Sequence, residues 1–261
     1  MPLQNVKRED REEKIPEDTH VLKLWTPLKF EVKKNYDFVP KSIGFKIASV
    51  ALYTIALPIV YIYNKVMYQC KIYGKENLEK VKGGKITISN HVHPMDCTMN
   101  AMVQAPREVY FPTLEDNFKI PVVNGIIRLL HAIPIPSDVQ AKINFYKTIG
   151  ELLRKGKTIH MYPEAALWPY ETKLRHFKNG AFQMAVEEQV PIIPIVFQFV
   201  KPQGIRKWKK KPCITMHILE PVYPNKEESI HKKEAIQIMK KTVYDKMQEC
   251  LKENPSIKEG K

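Results

Sequence analysis

Lys85-Ile86-Thr87-Ile88-Ser89-Asn90-His91-Val92-His93-Pro94-Met95-Asp96 is the stretch on which the reading of this chain turns. Its first five residues alternate with the period of a half-buried strand, and the segment after it, rich in methionine and small residues, reads as a helix. Asn90 to Asp96 is then a polar loop where a strand feeds a helix, the place where α/β proteins collect their chemistry. On a continuous helix, His91 and Asp96 would lie roughly 140° apart around the axis and could not meet. Pro94 supplies a turn between them, because proline disfavours helix in the residue before it and suits a first helical position. Asp96 can therefore fold back toward the imidazole of His91.

A carboxylate that holds one ring nitrogen protonated leaves the other free to take a proton, which makes His91 a candidate general base oriented by Asp96. Two other readings of the same residues stand beside this one. His91 can cap a helix or bond its own loop, and His91-x-His93-x-x-Asp96 resembles the opening of a metallohydrolase run in which alternate histidines share a divalent metal. In that comparison the aspartate comes one place late, and Cys97 stands near where the last histidine belongs.

With 261 residues the chain can bury a sizeable core as one domain, or as one domain and a small appendage. Its formal net charge of +14 favours anionic partners, whether nucleic acid, anionic lipid headgroups or an acidic carrier protein. Lysine carries most of that charge and much of it lies near the two ends. With no arginine-rich helix and no zinc-finger spacing, no nucleic-acid partner is expected. Cys70, Cys97, Cys213 and Cys250 form no Cys-x-x-Cys pair, which fits a reducing compartment without structural disulfides. Met1 to Glu17 is charged, has no apolar core of a secretory signal, and reads as a loosely held arm.

Ile47 to Asn64 carries no charge and is flanked by Lys46 and Lys65. A spanning helix needs about 20 apolar residues, so the length is borderline, and Pro58 is expected to kink it. Phe45, Tyr53, Tyr61, Tyr63 and Tyr68 suit a membrane interface. We read the segment as a kinked hairpin or amphipathic element lodged in one leaflet, its basic flanks on anionic headgroups, the alternative being a buried core helix. Residues 1–70 thus form an N-terminal arm with a membrane-associated helical segment, and residues 71–261 form the catalytic domain.

From Lys71 onward, strands alternate with helices. Ile86 to Ser89, Glu108 to Phe111, Ala132 to Ile135, Thr158 to Tyr162, Ile192 to Phe199 and Pro212 to Leu219 read as strands. Val122 to Leu130, Gln140 to Lys155, Gly180 to Gln189 and about Ser229 to Lys252 carry helical spacing. The fold class is α/β: a mixed, largely parallel sheet flanked by helices.

Two further polar clusters follow. Glu164 in Tyr162-Pro163-Glu164-Ala165-Ala166-Leu167-Trp168 stands just after a strand, where a carboxylate can bind a substrate hydroxyl, anchor the backbone, or simply occupy a surface turn. Lys173, Arg175 and Lys178 gather before a helix that Gly180 helps to start, which makes either an anion site or a solvated basic loop. Arg206 to Lys211 is a basic run with Trp208 inside it, suited to anionic lipid, to an acidic carrier or to solvent.

Taken in order, these clusters resemble the motifs of the glycerolipid acyltransferase family, the 1-acylglycerol-3-phosphate acyltransferases and their relatives, over roughly Tyr73 to Pro224. Asn90-His91-x4-Asp96 matches the first motif, and Pro121 through Arg128 to Ile135 is similar to the second region. Tyr162-Pro163-Glu164 matches the Phe-Pro-Glu of the third, Phe177-Lys178-x-Gly180-Ala181-Phe182 follows at the usual distance, and Val190 to Val196 is similar to the fourth. The resemblance implies transfer of a fatty acyl group from acyl-CoA or acyl-carrier protein to a hydroxyl of a lysophospholipid or glycerol phosphate, at the cytoplasmic face of a membrane carrying anionic lipids. It implies His91 as base, Asp96 as its orienter, no acyl-enzyme, no metal and no cofactor, with Glu164, Arg128, Lys173, Arg175, Lys178 and Gly180 as substrate-binding candidates. Where the third motif continues Gly-Thr-Arg-Ser, this chain has Ala165, Ala166, Leu167 and Trp168, and Ser137 stands where the second motif ends in arginine. In the family those arginines bind the acceptor phosphate, so the acceptor stays open between lysophosphatidate, another lysophospholipid and a different lipid alcohol. The alternatives to an acyltransferase are a non-catalytic lipid-binding relative and a metal-dependent hydrolase.

Overall fold

The structure, a computed structural model, describes residues 30–120, 123–202, 207, 212–225 and 230–254. The N-terminal arm, Pro121, Val122, most of the basic run Arg206 to Lys211 and the expected helix start at Ser229 lie outside the described residues. The described elements are α1 (Ile43–Tyr68), β1 (Lys71–Tyr73), β2 (Lys85–Ser89), α2 (Asp96–Gln104), β3 (Val109–Leu114), α3 (Val123–Leu129), β4 (Ala132–Ile135), α4 (Val139–Arg154), β5 (Thr158–Met161), α5 (Gly180–Glu188), β6 (Ile192–Val200), β7 (Cys213–Ile218) and α6 (Lys232–Glu253). Short 3-10 turns occupy Lys75–Leu78 and Glu115–Lys119.

The seven strands form one sheet in the order β1-β7-β6-β2-β5-β3-β4. All neighbours are parallel except β6 and β7, which pair as an antiparallel hairpin. β2 runs between β5 and β6 with all five residues buried, so the loop after it leaves from the middle of the sheet. Its period of two separates two environments. Ile86 and Ile88 join the larger core with Ile159 of β5, residues of α4, α5 and α6, and the flank of β6. Thr87 and Ser89 face the other way, toward α2, and both bond the imidazole of His160 on β5. The second core, on the α2 side, gathers Val92, Met99 and Val103 with Ile193, Ile195 and Phe197 of β6.

The segment ahead of α1 is part of this body: Val32 and Phe38 are buried in the larger core, and Phe38 meets Phe145 of α4 edge to face. α1 itself differs from the expected hairpin. It is one continuous helix of 26 residues that includes Pro58, about 39 Å long at 1.5 Å per residue. α1 is anchored on either side of Pro58. Ser49 donates to the Leu129 carbonyl at 2.6 Å, and Asn64 donates to Thr98 of α2 at 3.2 Å. The buried-core alternative is also set aside, since Ile43, Ile47, Val50, Ile55, Ile59 and Ile62 are exposed.

Candidate active site

Asn90 ends β2 by extending its ladder with a side chain instead of a backbone. Its amide donates to the Phe197 carbonyl at 3.0 Å and its oxygen accepts from the Phe197 N–H at 2.8 Å. The main chain, released from β6, then turns through Pro94 and Met95, and α2 begins at Asp96 rather than at the proline. Asp96 N–H donates to the His93 carbonyl at 3.0 Å, closing the turn. That turn brings the Asp96 carboxylate to the imidazole: His91 Nδ1 and Asp96 Oδ2 are 2.7 Å apart. Asp96 is fully buried and sits in the first turn of α2, where the helix dipole favours negative charge. His91 remains partly accessible, its side chain 19% exposed, and Nε2 is the nitrogen that Asp96 leaves free.

Glu164 and Arg175 are brought to the site in a way that composition could not specify. Glu164 Oε2 accepts from the His91 backbone N–H at 3.2 Å and from Arg175 Nη2 at 2.8 Å, while Oε1 accepts from the Arg175 N–H at 3.2 Å. Burial pushes the Glu164 carboxyl up, and the guanidinium and the two N–H donors pull against that shift. Arg175 also bonds the Ala166 carbonyl and lies over the Trp168 ring at 5.0 Å. The pair thus staples the 162–179 loop to the loop that carries His91. Trp168 and Tyr170 add backbone bonds to the carbonyls of His91 and Val92, at 3.0 and 2.7 Å.

The other candidates lie further out. Arg128 donates to the Asp37 carbonyl at 2.5 Å and lies over the Tyr36 ring, so it ties α3 to the N-terminal segment. Lys173 and Lys178 are exposed on the 162–179 loop, with the Lys178 N–H on the Pro163 carbonyl at 2.8 Å. Gly180 opens α5 with open space where a Cβ would sit. Ser137 donates to Glu115 at 2.9 Å. His93 is buried, accepts the Met95 N–H at Nδ1 (3.1 Å), and packs edge to face on Tyr68 and Tyr170. Among the described residues, no three His, Cys, Asp or Glu side chains are grouped as metal ligands.

A buried polar network under the pair was not read from the sequence. Tyr162 stacks on the His91 ring at 3.8 Å and donates its hydroxyl to Asp96 Oδ1 at 2.8 Å. Beneath it, Asn100 donates to His160 Nε2 at 3.0 Å and to Ser89 at 3.2 Å, and His160 Nδ1 meets Thr87 at 2.9 Å. Burial lowers His160 to about 3, so it is a neutral imidazole. The signal was present: His160 shares the inner face of its strand with Thr158, and Asn100 lies one helical turn after Asp96.

Beside the pair, a cavity of about 340 Å³ opens between α1, α2, β3 and α3. Its walls include Leu57 and Val60 of α1, Ala101 of α2, Phe111 of β3 and Ile127 of α3. Cys97 and Thr98, the residues after Asp96, line it as well. Although Cys97 is exposed on the cavity wall, the protein packed around its thiol and the Asp96 charge push it up to about 12, so it is not a ready nucleophile.

Comparison with known proteins accords with this geometry. A family model described as Acyltransferase matches residues 69–198. A chloroplastic 1-acyl-sn-glycerol-3-phosphate acyltransferase of Brassica napus is 25% identical over 62% of this chain and 47% of its own length. One of Arabidopsis thaliana is 24% identical over 62% of this chain and 46% of its own. The chain therefore spans about half the length of the curated relatives it matches. The crystal structure of the 1-acyl-sn-glycerophosphate acyltransferase PlsC from Thermotoga maritima superposes with a TM-score of 0.55 at 22% identity, over 79% of this chain and 87% of that one. The domain matched over residues 69–198, with the His91 and Asp96 pair at its heart, makes this chain a member of the acyltransferase family.

Proposed function

We propose that the chain transfers a fatty acyl group from a thioester, acyl-CoA or acyl-carrier protein, to the hydroxyl of a lysophospholipid, with lysophosphatidate as the favoured acceptor. The observation that carries this reading is the 2.7 Å contact of His91 with buried Asp96, whose next residues Cys97 and Thr98 line an apolar cavity. His91 Nε2 takes the proton of the acceptor hydroxyl as its oxygen attacks the thioester carbonyl. Asp96 stabilises the imidazolium that forms. Collapse of the tetrahedral adduct breaks the carbon–sulfur bond, and the departing thiolate takes the proton back from His91. The acyl chain lies in the cavity, whose volume falls in the roughly 300–1,000 Å³ range of ligand pockets. The names of the Brassica and Arabidopsis relatives support a phosphate-bearing acceptor.

The same reading places the protein on a membrane, from which acyl chains and lysolipids are delivered. α1 has a mean hydropathy of 1.9 in its most apolar window, and only 6% of that window is buried. Its bound flank, fixed by Ser49 and Asn64, leaves the opposite flank for lipid. Basic residues at Lys41, Lys46, Lys65 and Lys71 suit anionic headgroups at a cytoplasmic face.

The test is thiol release and labelled acyl transfer from acyl-CoA and from acyl-carrier protein to lysophosphatidate, other lysophospholipids and glycerol phosphate. Wild type transfers to lysophosphatidate and His91→Ala loses at least about 100-fold of the rate. Equal rates in the two proteins would overturn the role of His91, and folded, membrane-bound protein that transfers to no acceptor would move the reading to a lipid-binding relative.

A further inference from the structure

Tyr162 occupies the place where the family motif has phenylalanine, and its hydroxyl is not idle. It donates at 2.8 Å to Asp96 Oδ1, the oxygen that His91 does not use. Its ring lies 3.8 Å from the His91 ring with an interplanar angle of 18°. One side chain thus touches both members of the pair, through two different groups. We propose that Tyr162 is a positioning residue for the His91 base: its ring sets the plane of the imidazole and its hydroxyl draws charge from Asp96. This rests on the reading of His91 as the base.

A carboxylate that accepts a second hydrogen bond holds the His91 N–H less strongly, which lowers the proton affinity of Nε2. Removing the hydroxyl returns that charge to the His91 side and raises its affinity for protons. Burial beside Asp96 keeps the Tyr162 phenol well above its ordinary value, so it stays a donor across the working pH range. Asn100 approaches the phenol oxygen at 3.5 Å and leaves its proton for Asp96. The titratable or charged groups around the pair are Cys97 on α2, His160 on β5, His93 in the same loop, Tyr68 of α1 behind His93, and Glu164 with Arg175 on the 162–179 loop. His160 is neutral and Glu164 is paired, so Asp96 and Tyr162 set the local balance.

The experiment measures the His91 pKa by NMR of the labelled imidazole, and kcat and kcat/KM against pH, in the full chain reconstituted in lipid. Wild type, Tyr162→Phe, Tyr162→fluorotyrosine and His91→Ala are compared. Tyr162→Phe should raise the His91 pKa and the acid limb of kcat/KM by about 0.5–1 unit and lower kcat roughly 10-fold with KM unchanged. Fluorotyrosine, a stronger donor with the ring retained, should move both in the opposite direction. A His91 pKa that stays put in both variants overturns the proposal, whatever happens to kcat, because a merely structural role would change amplitude alone. If Tyr162→Phe does not fold, the fluorotyrosine arm decides by the same shift. A His91 pKa that moves as expected in a protein that transfers no acyl group, or whose His91→Ala form is fully active, would sustain the positioning role and defeat the assignment of His91 as base.

Discussion

Burial holds His160 neutral at about 3, far below its ordinary 6.5, so protonation opposes the native state. Between those two values the unfolded chain carries a proton that the folded chain does not. Stability therefore falls as pH falls through that window, by at most about 1.4 kcal/mol per unit from this group. Thermal melts from pH 7 to 4 should show this loss, and His160→Asn should flatten the slope while lowering the plateau. Glu164 and Arg175 make a second prediction at this scale. Their side chains are 0% and 6% exposed, so removing one leaves the other charged and buried. Arg175→Met should cost about 3–5 kcal/mol in denaturant unfolding. A variant of wild-type stability with a raised KM would instead make Arg175 a substrate ligand. Glu164 was legible as a carboxylate at a strand end. That it faces a backbone N–H of the His91 loop was not, because the contact joins residues 73 apart in sequence.

At the scale of elements, α2 does two jobs from one nine-residue helix. Its first residue orients His91, and Ala101 lines the cavity. Small residues on this face, together with Ala56 of α1, leave the volume open. Ala101→Phe should shorten the usable cavity and shift acyl preference toward shorter chains, by roughly 10-fold in kcat/KM for long against short donors. Competition between labelled acyl donors of different length checks this, and an unchanged ratio would remove the cavity from the reading. The strands and helices themselves were nearly all visible in the sequence, since alternation and helical spacing are local signals. β1 was not: three residues carry too little pattern, and Lys71–Tyr73 becomes a strand only by pairing with β7 across the sheet.

For the whole molecule, the exposed face of α1 is the dominant apolar surface among the described residues, and Lys41, Lys46, Lys65 and Lys71 flank it in a chain of net charge +14. Binding to vesicles should need anionic lipid and weaken with salt, while Ile55→Asp with Ile59→Asp should abolish it and leave the fold intact. Sedimentation with vesicles of stated composition and a thermal melt together check both halves. The sequence by itself determined the alternating α/β order, the apolar segment before it, and the loop that must hold His91 and Asp96, because each depends on neighbours within a few residues of chain. Only the tertiary structure decided that α1 is a single helix fastened to α2 and α3, that Glu164 binds Arg175, that Arg128 turns to the N-terminal segment, and that Tyr162 touches both His91 and Asp96. Those outcomes depend on which buried polar groups meet across the sheet. A buried donor or acceptor takes whatever partner the packing brings within reach, and the linear chain does not state that partner.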